Sequence, residues 1–162
     1  MKPTMYLSLC EAFFLQYGLN TLKILDEKEN ELSSDECWKQ FSTCEPEFVE
    51  LYAAYHFFRS RGWVPRSGLK YAVNFIVYAV GPAFFHSELC AVVVRALSKA
   101  HSRTWNDLHI MQRMIHAVSK DIVMCSVNIP SGVSTATPTC LAHVSVSTVL
   151  MRRWASSRGR TE

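Results

Sequence analysis

Val73-Asn74-Phe75-Ile76-Val77-Tyr78, then Ala79-Val80-Gly81-Pro82-Ala83-Phe84-Phe85-His86, then Leu89-Cys90-Ala91-Val92-Val93-Val94: this stretch of the 162-residue chain decides how the fold is read. The first segment is rich in β-branched and aromatic residues and reads as a strand. The last is a continuous apolar run, as in a strand buried on both faces. Between them Gly81-Pro82 marks a turn, because glycine accepts unusual backbone angles and proline fixes φ. A tyrosine therefore stands where one strand ends and a histidine where the next begins. A phenol and an imidazole brought to the rim of a sheet are able to move protons. The whole apolar region from Val73 to Leu97 is interrupted by Asn74, Gly81-Pro82, His86 and Glu88, so it does not read as a membrane span.

Working outward toward the N-terminus, Pro46 introduces a helix expected to run to about Arg61, with Phe48, Leu51, Tyr52, Tyr55 and Phe58 at helical spacing and Gly62 as its stop. Ser33-Ser34-Asp35-Glu36 is a capping box opening a shorter helix through Trp38 and Phe41. Leu7 to Leu19 predicts a largely buried helix, Leu22–Leu25 a short strand, and 26–32 a charged connector. Toward the C-terminus, the strand of Cys90–Leu97 is followed by a helix capped by Thr104 and Asp107, with Trp105, Leu108, Ile110, Met111 and Ile115 on its apolar side. Ile122–Val127 reads as a strand with Lys120 at its mouth. Residues 130–138, rich in Ser, Thr, Gly and Pro, read as a loop, and Val144–Leu150 alternates like a half-buried strand. A basic tail, Arg152-Arg153-Trp154, follows.

Charge is divided unevenly. Residues 1–50 carry four basic and ten acidic side chains, net −6, and residues 51–162 carry thirteen basic and four acidic, net +9. A basic C-terminal two-thirds suits a phosphate backbone, since each Lys or Arg contact releases counterions. Arg59, Arg61, Arg66 and Lys70 form either a solvated basic face or part of an RNA path. The six cysteines show no C-x-x-C spacing and are expected to be reduced, in an intracellular protein. Lys2 and the short apolar run after it look superficially like a leader, but Glu11 interrupts the run. Near the expected sheet the carboxylates Glu88, Asp107 and Asp121 are isolated, and the six histidines lack H-x-x-x-H spacing. No metal site and no cofactor are expected.

The run Tyr55-His56-Phe57-Phe58-Arg59-Ser60-Arg61-Gly62-Trp63-Val64-Pro65-Arg66-Ser67-Gly68-Leu69-Lys70-Tyr71, with Phe75–Tyr78 and Gly81–His86, closely resembles the catalytic core of the tRNA-splicing endonuclease, and in particular the eukaryotic catalytic subunit that cuts at the 5′ splice site. The resemblance continues through Val118-Ser119-Lys120-Asp121-Ile122-Val123-Met124-Cys125 and returns at Arg153–Arg158. It implies an α/β protein: a small N-terminal α/β domain (1–66), then a restriction-endonuclease-like nuclease domain (67–162) with a mixed central sheet flanked by helices. The chain, beginning almost directly at the N-terminal domain, is either a compact form or a fragment.

The resemblance also implies the chemistry. Precursor tRNA is cut without metal: the ribose 2′-OH attacks the adjacent phosphate, leaving a 2′,3′-cyclic phosphate and a 5′-OH. The family's tyrosine, histidine and lysine fall on Tyr78, His86 and Lys120. Imidazole titrates near neutrality, which suits His86 as general acid. A phenol is a poor base without a cation beside it, so Tyr78 either takes the 2′ proton or only orients the hydroxyl. Lys120 would supply that cation and stabilise the transition state. Arg113 and Trp154 match an arginine and an aromatic that sandwich an unpaired intron base for the opposite catalytic subunit. The implied partners are precursor tRNA, a structural subunit paired through the C-terminal strand, and a second catalytic/structural pair in a heterotetramer, located in the nucleus. The chain departs from the family at Ala72 (usually Gly), Asn74 (usually Asp) and Ala79-Val80 (usually basic). A non-catalytic structural or RNA-binding subunit of the same complex is therefore the alternative.

Overall fold

In a computed structural model, which describes residues 4–83, 85–87, 89–95 and 104–152, three helices begin on the same side-chain lock. Ser8, Ser33 and Thr104 each accept from the amide three residues on, while Glu11, Glu36 and Asp107 reach back to the capping residue's amide. Each such cap is worth about 1 kcal/mol. They start α1 (Leu9–Phe13, continued by a π-helical turn over Phe14–Gly18), α2 (Ser34–Cys44) and α4 (Trp105–Ala117). Between α2 and α4 lies α3 (Phe48–Arg59), which starts two residues after Pro46 and has Glu47 at its N-cap. The strand expected at Leu22–Leu25 is reduced to one bridge between Leu25 and Glu31. There Asp26 folds the connector back by accepting from the amides of Lys28 and Asn30, each at 2.8 Å.

The described residues form a five-stranded sheet in the order β1-β2-β3-β4-β5: β1 (Val64–Ser67), β2 (Phe75–Tyr78), β3 (Leu89–Arg95), β4 (Asp121–Asn128) and β5 (Ser145–Met151). Only β3 and β4 run parallel, as a strand–helix–strand crossover through α4 requires; the other three pairings are antiparallel. β1 is absent from the sequence reading because Pro65 interrupts its pattern. Proline is tolerated on an edge strand, and β1 is one.

Strand alternation then assigns the two faces. Phe75, Val77, Ala91, Val123, Cys125 and Val127 turn toward the N-terminal helices and share a core with Phe13, Trp38, Phe48 and Tyr52. Within that core the Phe13 ring meets Tyr52 edge-on at 4.8 Å. The fully buried Trp38 donates its indole N–H to the Thr135 carbonyl at 2.9 Å, pinning the Ser/Thr-rich loop to α2. Ile76, Cys90, Val92 and Ile122 turn the other way, onto Met111 and Ile115 of α4. The result is the expected mixed sheet between helices. Across Arg66, where the sequence suggests a domain boundary, packing is continuous: α3 contacts β1, β3, β4 and β5.

Candidate active site

Strand direction alone brings the three predicted side chains to one end of the sheet. Tyr78 is the last residue of β2. Because β2 is antiparallel to β3, with Val77 opposite Leu89, the end of β2 lies beside the start of β3. His86 lies on the loop just before that start. Because β3 and β4 are parallel, with Leu89 opposite Asp121, the start of β4 lies at the same end, and Lys120 immediately precedes it.

Each side chain is held differently. Tyr78 is half-buried and packs on the α4 face against the core of Ile76, Cys90 and Ile122. His86 is exposed, as a group that must reach a ligand would be. Lys120 is half-buried, and its ammonium donates to the backbone carbonyl of Ser87 at 2.5 Å. That bond fixes the cation next to the residue following the histidine. It also satisfies an acceptor in a residue only 6% exposed. The same charge is felt in the interior: burial pushes the Cys90 thiol up, and the Lys120 ammonium draws it part of the way back.

An ion pair closes the rim. Asp121, the residue after Lys120, accepts from Arg152 Nε at 2.7 Å. Arg152 is placed there because Met151 pairs with Ile122 across β4 and β5. Sequence reasoning noted Asp121 only as an isolated carboxylate; its adjacency to Lys120 was visible, but the register that supplies its partner was not. The Ser87 carbonyl was missed altogether, since a backbone acceptor leaves no mark in a sequence.

Arg113 lies on α4, exposed and away from the β2–β3 turn in sequence. Trp154, together with the basic tail beyond Arg152, lies outside the described residues, as do Phe84, Glu88 and Leu97. Three members of the basic run are engaged within the chain. Arg66 pairs with Glu11, Arg59 stands 5.1 Å over the Phe14 ring, and Arg61 stands 3.6 Å over Phe57 while donating to its carbonyl at 3.1 Å. These contacts favour a structural use of the three guanidiniums. No three His, Cys, Asp or Glu side chains gather as a metal site among the described residues, and no described helix is long and apolar enough to cross a membrane.

A phenol, an imidazole and an ammonium stand at one end of the mixed sheet of this α/β domain, groups of the kind that acid–base chemistry uses. Comparison with known proteins narrows the class. Residues 48–133, which contain Tyr78, His86, Lys120 and Arg113, match the family model described as tRNA intron endonuclease, catalytic C-terminal domain. The chain is 38% identical over 165 residues to the tRNA-splicing endonuclease subunit Sen2 of Mus musculus, covering 96% of this chain and 35% of that protein. It is 37% identical to the subunit of the same name in Gallus gallus, again covering 35% of the relative. To the tRNA-splicing endonuclease subunit Sen2-1 of Arabidopsis thaliana it is 32% identical, covering 99% of this chain and 68% of that protein. The chain belongs to the tRNA intron endonuclease family. It spans about a third of the length of the vertebrate relatives it matches.

Proposed function

We propose that this chain is the catalytic subunit of a tRNA-splicing endonuclease that cuts precursor tRNA at the 5′ splice site by metal-independent transesterification. The observation that carries the reading is the placement of Tyr78, His86 and Lys120 at the same end of the sheet, with the lysine bonded to the carbonyl of the residue after the histidine. In the reaction the 2′-oxygen forms a bond to phosphorus as the bond from phosphorus to the 5′-oxygen breaks. Tyr78 receives the 2′ proton or orients the hydroxyl. His86 delivers a proton to the departing 5′-oxygen. Lys120 lies against the extra negative charge of the phosphorane. The products are a 2′,3′-cyclic phosphate and a 5′-OH, and the proton gained on one side balances the one lost on the other.

The partners fit the β5 edge of the sheet. Among the described residues β5 pairs on one side only and exposes Val149 and Leu150 at 63% and 47%, as a strand that adds to another subunit would. A structural subunit docks there, and two such pairs form a heterotetramer in the nucleus. Arg113, with Trp154, serves the neighbouring active site by clasping an intron base. In the assembled complex His86→Ala is expected to abolish cleavage at one exon–intron junction and leave the other largely intact. Wild-type cleavage should persist in a chelator and yield a cyclic phosphate. A requirement for Mg²⁺, or a 5′-phosphate on the downstream product, would refute the mechanism.

A further inference from the structure

The turn that carries His86 also presents two apolar side chains that the proton chemistry does not use. Phe85, the residue before the histidine, is 59% exposed, and Val80, on the other arm of the same turn, is also 59% exposed. Gly81 takes a φ of +133° that glycine accepts readily, Pro82 fixes the next φ, and the Phe85 amide donates back to the Gly81 carbonyl at 3.3 Å. The backbone of the residue bearing the ring is thus tied to Gly81 at the turn. Around it the rim is polar and cationic: His86 is exposed, Lys120 is tied to Ser87, and Arg152 sits over Asp121. Ala79 and Val80 bring no charge to grip a phosphate. A flat apolar ring beside cations suits a nucleic-acid base, whose face is apolar while its own phosphates are anionic. A peptide would find only two apolar side chains here, and the strand edge next to them is the four-residue β1, interrupted by Pro65.

We propose that Phe85 is a base-stacking platform for the nucleotide on the 3′ side of the scissile phosphate, the one whose 5′-oxygen leaves, with Val80 flanking the ring. The proposal rests on the cleavage reading above. In-line attack by a 2′-OH requires the two nucleotides around the phosphate to be splayed apart, and a base pulled out of its stack needs a new surface. Phe85 adjoins the group assigned to protonate the departing 5′-oxygen, so the base on that side is the one within its reach. Stacking reads shape and polarisability, so the contact should tolerate any base.

The test is a cycle between protein and RNA, using the assembled complex and a precursor tRNA whose 2′-OH at the scissile nucleotide is replaced by hydrogen, so that binding is measured without cleavage. Phe85→Leu should weaken binding by about 5- to 150-fold, and Phe85→Tyr should restore it. With an abasic residue on the 3′ side of the scissile phosphate, wild type and Phe85→Leu should bind equally. An unchanged affinity in Phe85→Leu would overturn the proposal. So would a loss that persists on the abasic RNA, or release of a partner subunit by the substitution. Cleavage of unmodified precursor by the wild type is scored separately, so its failure would count against the catalytic reading without deciding whether Phe85 stacks.

Discussion

Asn74 takes the place of a strand residue: its side-chain Oδ1 accepts from the amide of Val93 at 2.8 Å, continuing by one bond a ladder in which Phe75 is paired with Ala91. The backbone of β3 runs on past the point where β2 begins, and the amide of Val93 has a side-chain acceptor there. Asn74→Ala leaves that donor unpaired and should cost about 1–3 kcal/mol in a denaturant titration. Asn74→Asp keeps an acceptor oxygen in the same place and should cost less. Equal losses in the two variants would show that the bond to Val93 is not what Asn74 contributes.

Two residues upstream, Ala72 ends a short 3₁₀ turn (Leu69–Tyr71) in the left-handed region, at φ +53° and ψ +34°. An L-residue there crowds its Cβ against the backbone, at a cost of about 1–2 kcal/mol that glycine avoids. Glycine loses part of this gain through its larger unfolded-state entropy. Ala72→Gly should therefore raise stability by up to about 1 kcal/mol, read as a higher urea midpoint with an unchanged slope. A lower midpoint would mean that the Ala72 methyl contributes more through its contacts than its backbone angle costs.

Lys120→Met keeps an apolar stem and removes the ammonium that Ser87 accepts from. Single-turnover cleavage at this chain's own junction should fall by about 10²–10³-fold, the usual effect of losing one donor at a developing charge. The midpoint of unfolding should fall modestly as well, because the Ser87 carbonyl loses its partner. Cleavage within threefold of wild type would remove Lys120 from the mechanism.

Alkaline pH should loosen the core. Burial, reinforced by the charges of Glu11 and Glu45, pushes the Cys10 thiol up to about 12, and burial alone does the same to Cys125. Unfolded, both titrate at about 8.5. Between those values the folded chain holds protons that the unfolded chain has released. Stability is therefore fully present below about pH 8.5 and falls as pH rises toward 12, by about 1.4 kcal/mol per thiol for each pH unit. Urea midpoints at pH 7, 8.5 and 10 measure this. A flat profile to pH 10 in wild type would show that the thiols do not destabilise the fold on titration, and the same decline in a Cys10→Ala, Cys125→Ala double variant would assign it to other groups.

The parts of the fold legible in the sequence are those whose cause is local. The Ser33–Glu36 and Thr104–Asp107 boxes fix helix starts with side chains three residues apart, and both are present. Tyr78 and His86 were placed at the ends of successive strands because Gly81-Pro82 breaks an otherwise continuous apolar run. What stayed hidden depends on partners distant in the chain. β1 is a strand only because β2 pairs with it, in spite of Pro65. Arg66 finds Glu11 and Arg152 finds Asp121 only once packing and register are set. Ser87 enters the site through its carbonyl, a group every residue has.

The free edge of β5 has a consequence for the chain on its own. A seven-residue strand that among the described residues has one unpaired side, and that exposes Val149 and about half of Leu150, has nothing in the described structure to stop a second copy from aligning with it. Made without a companion to cover that edge, the protein should associate with itself as its concentration rises, giving a broad, concentration-dependent sedimentation profile.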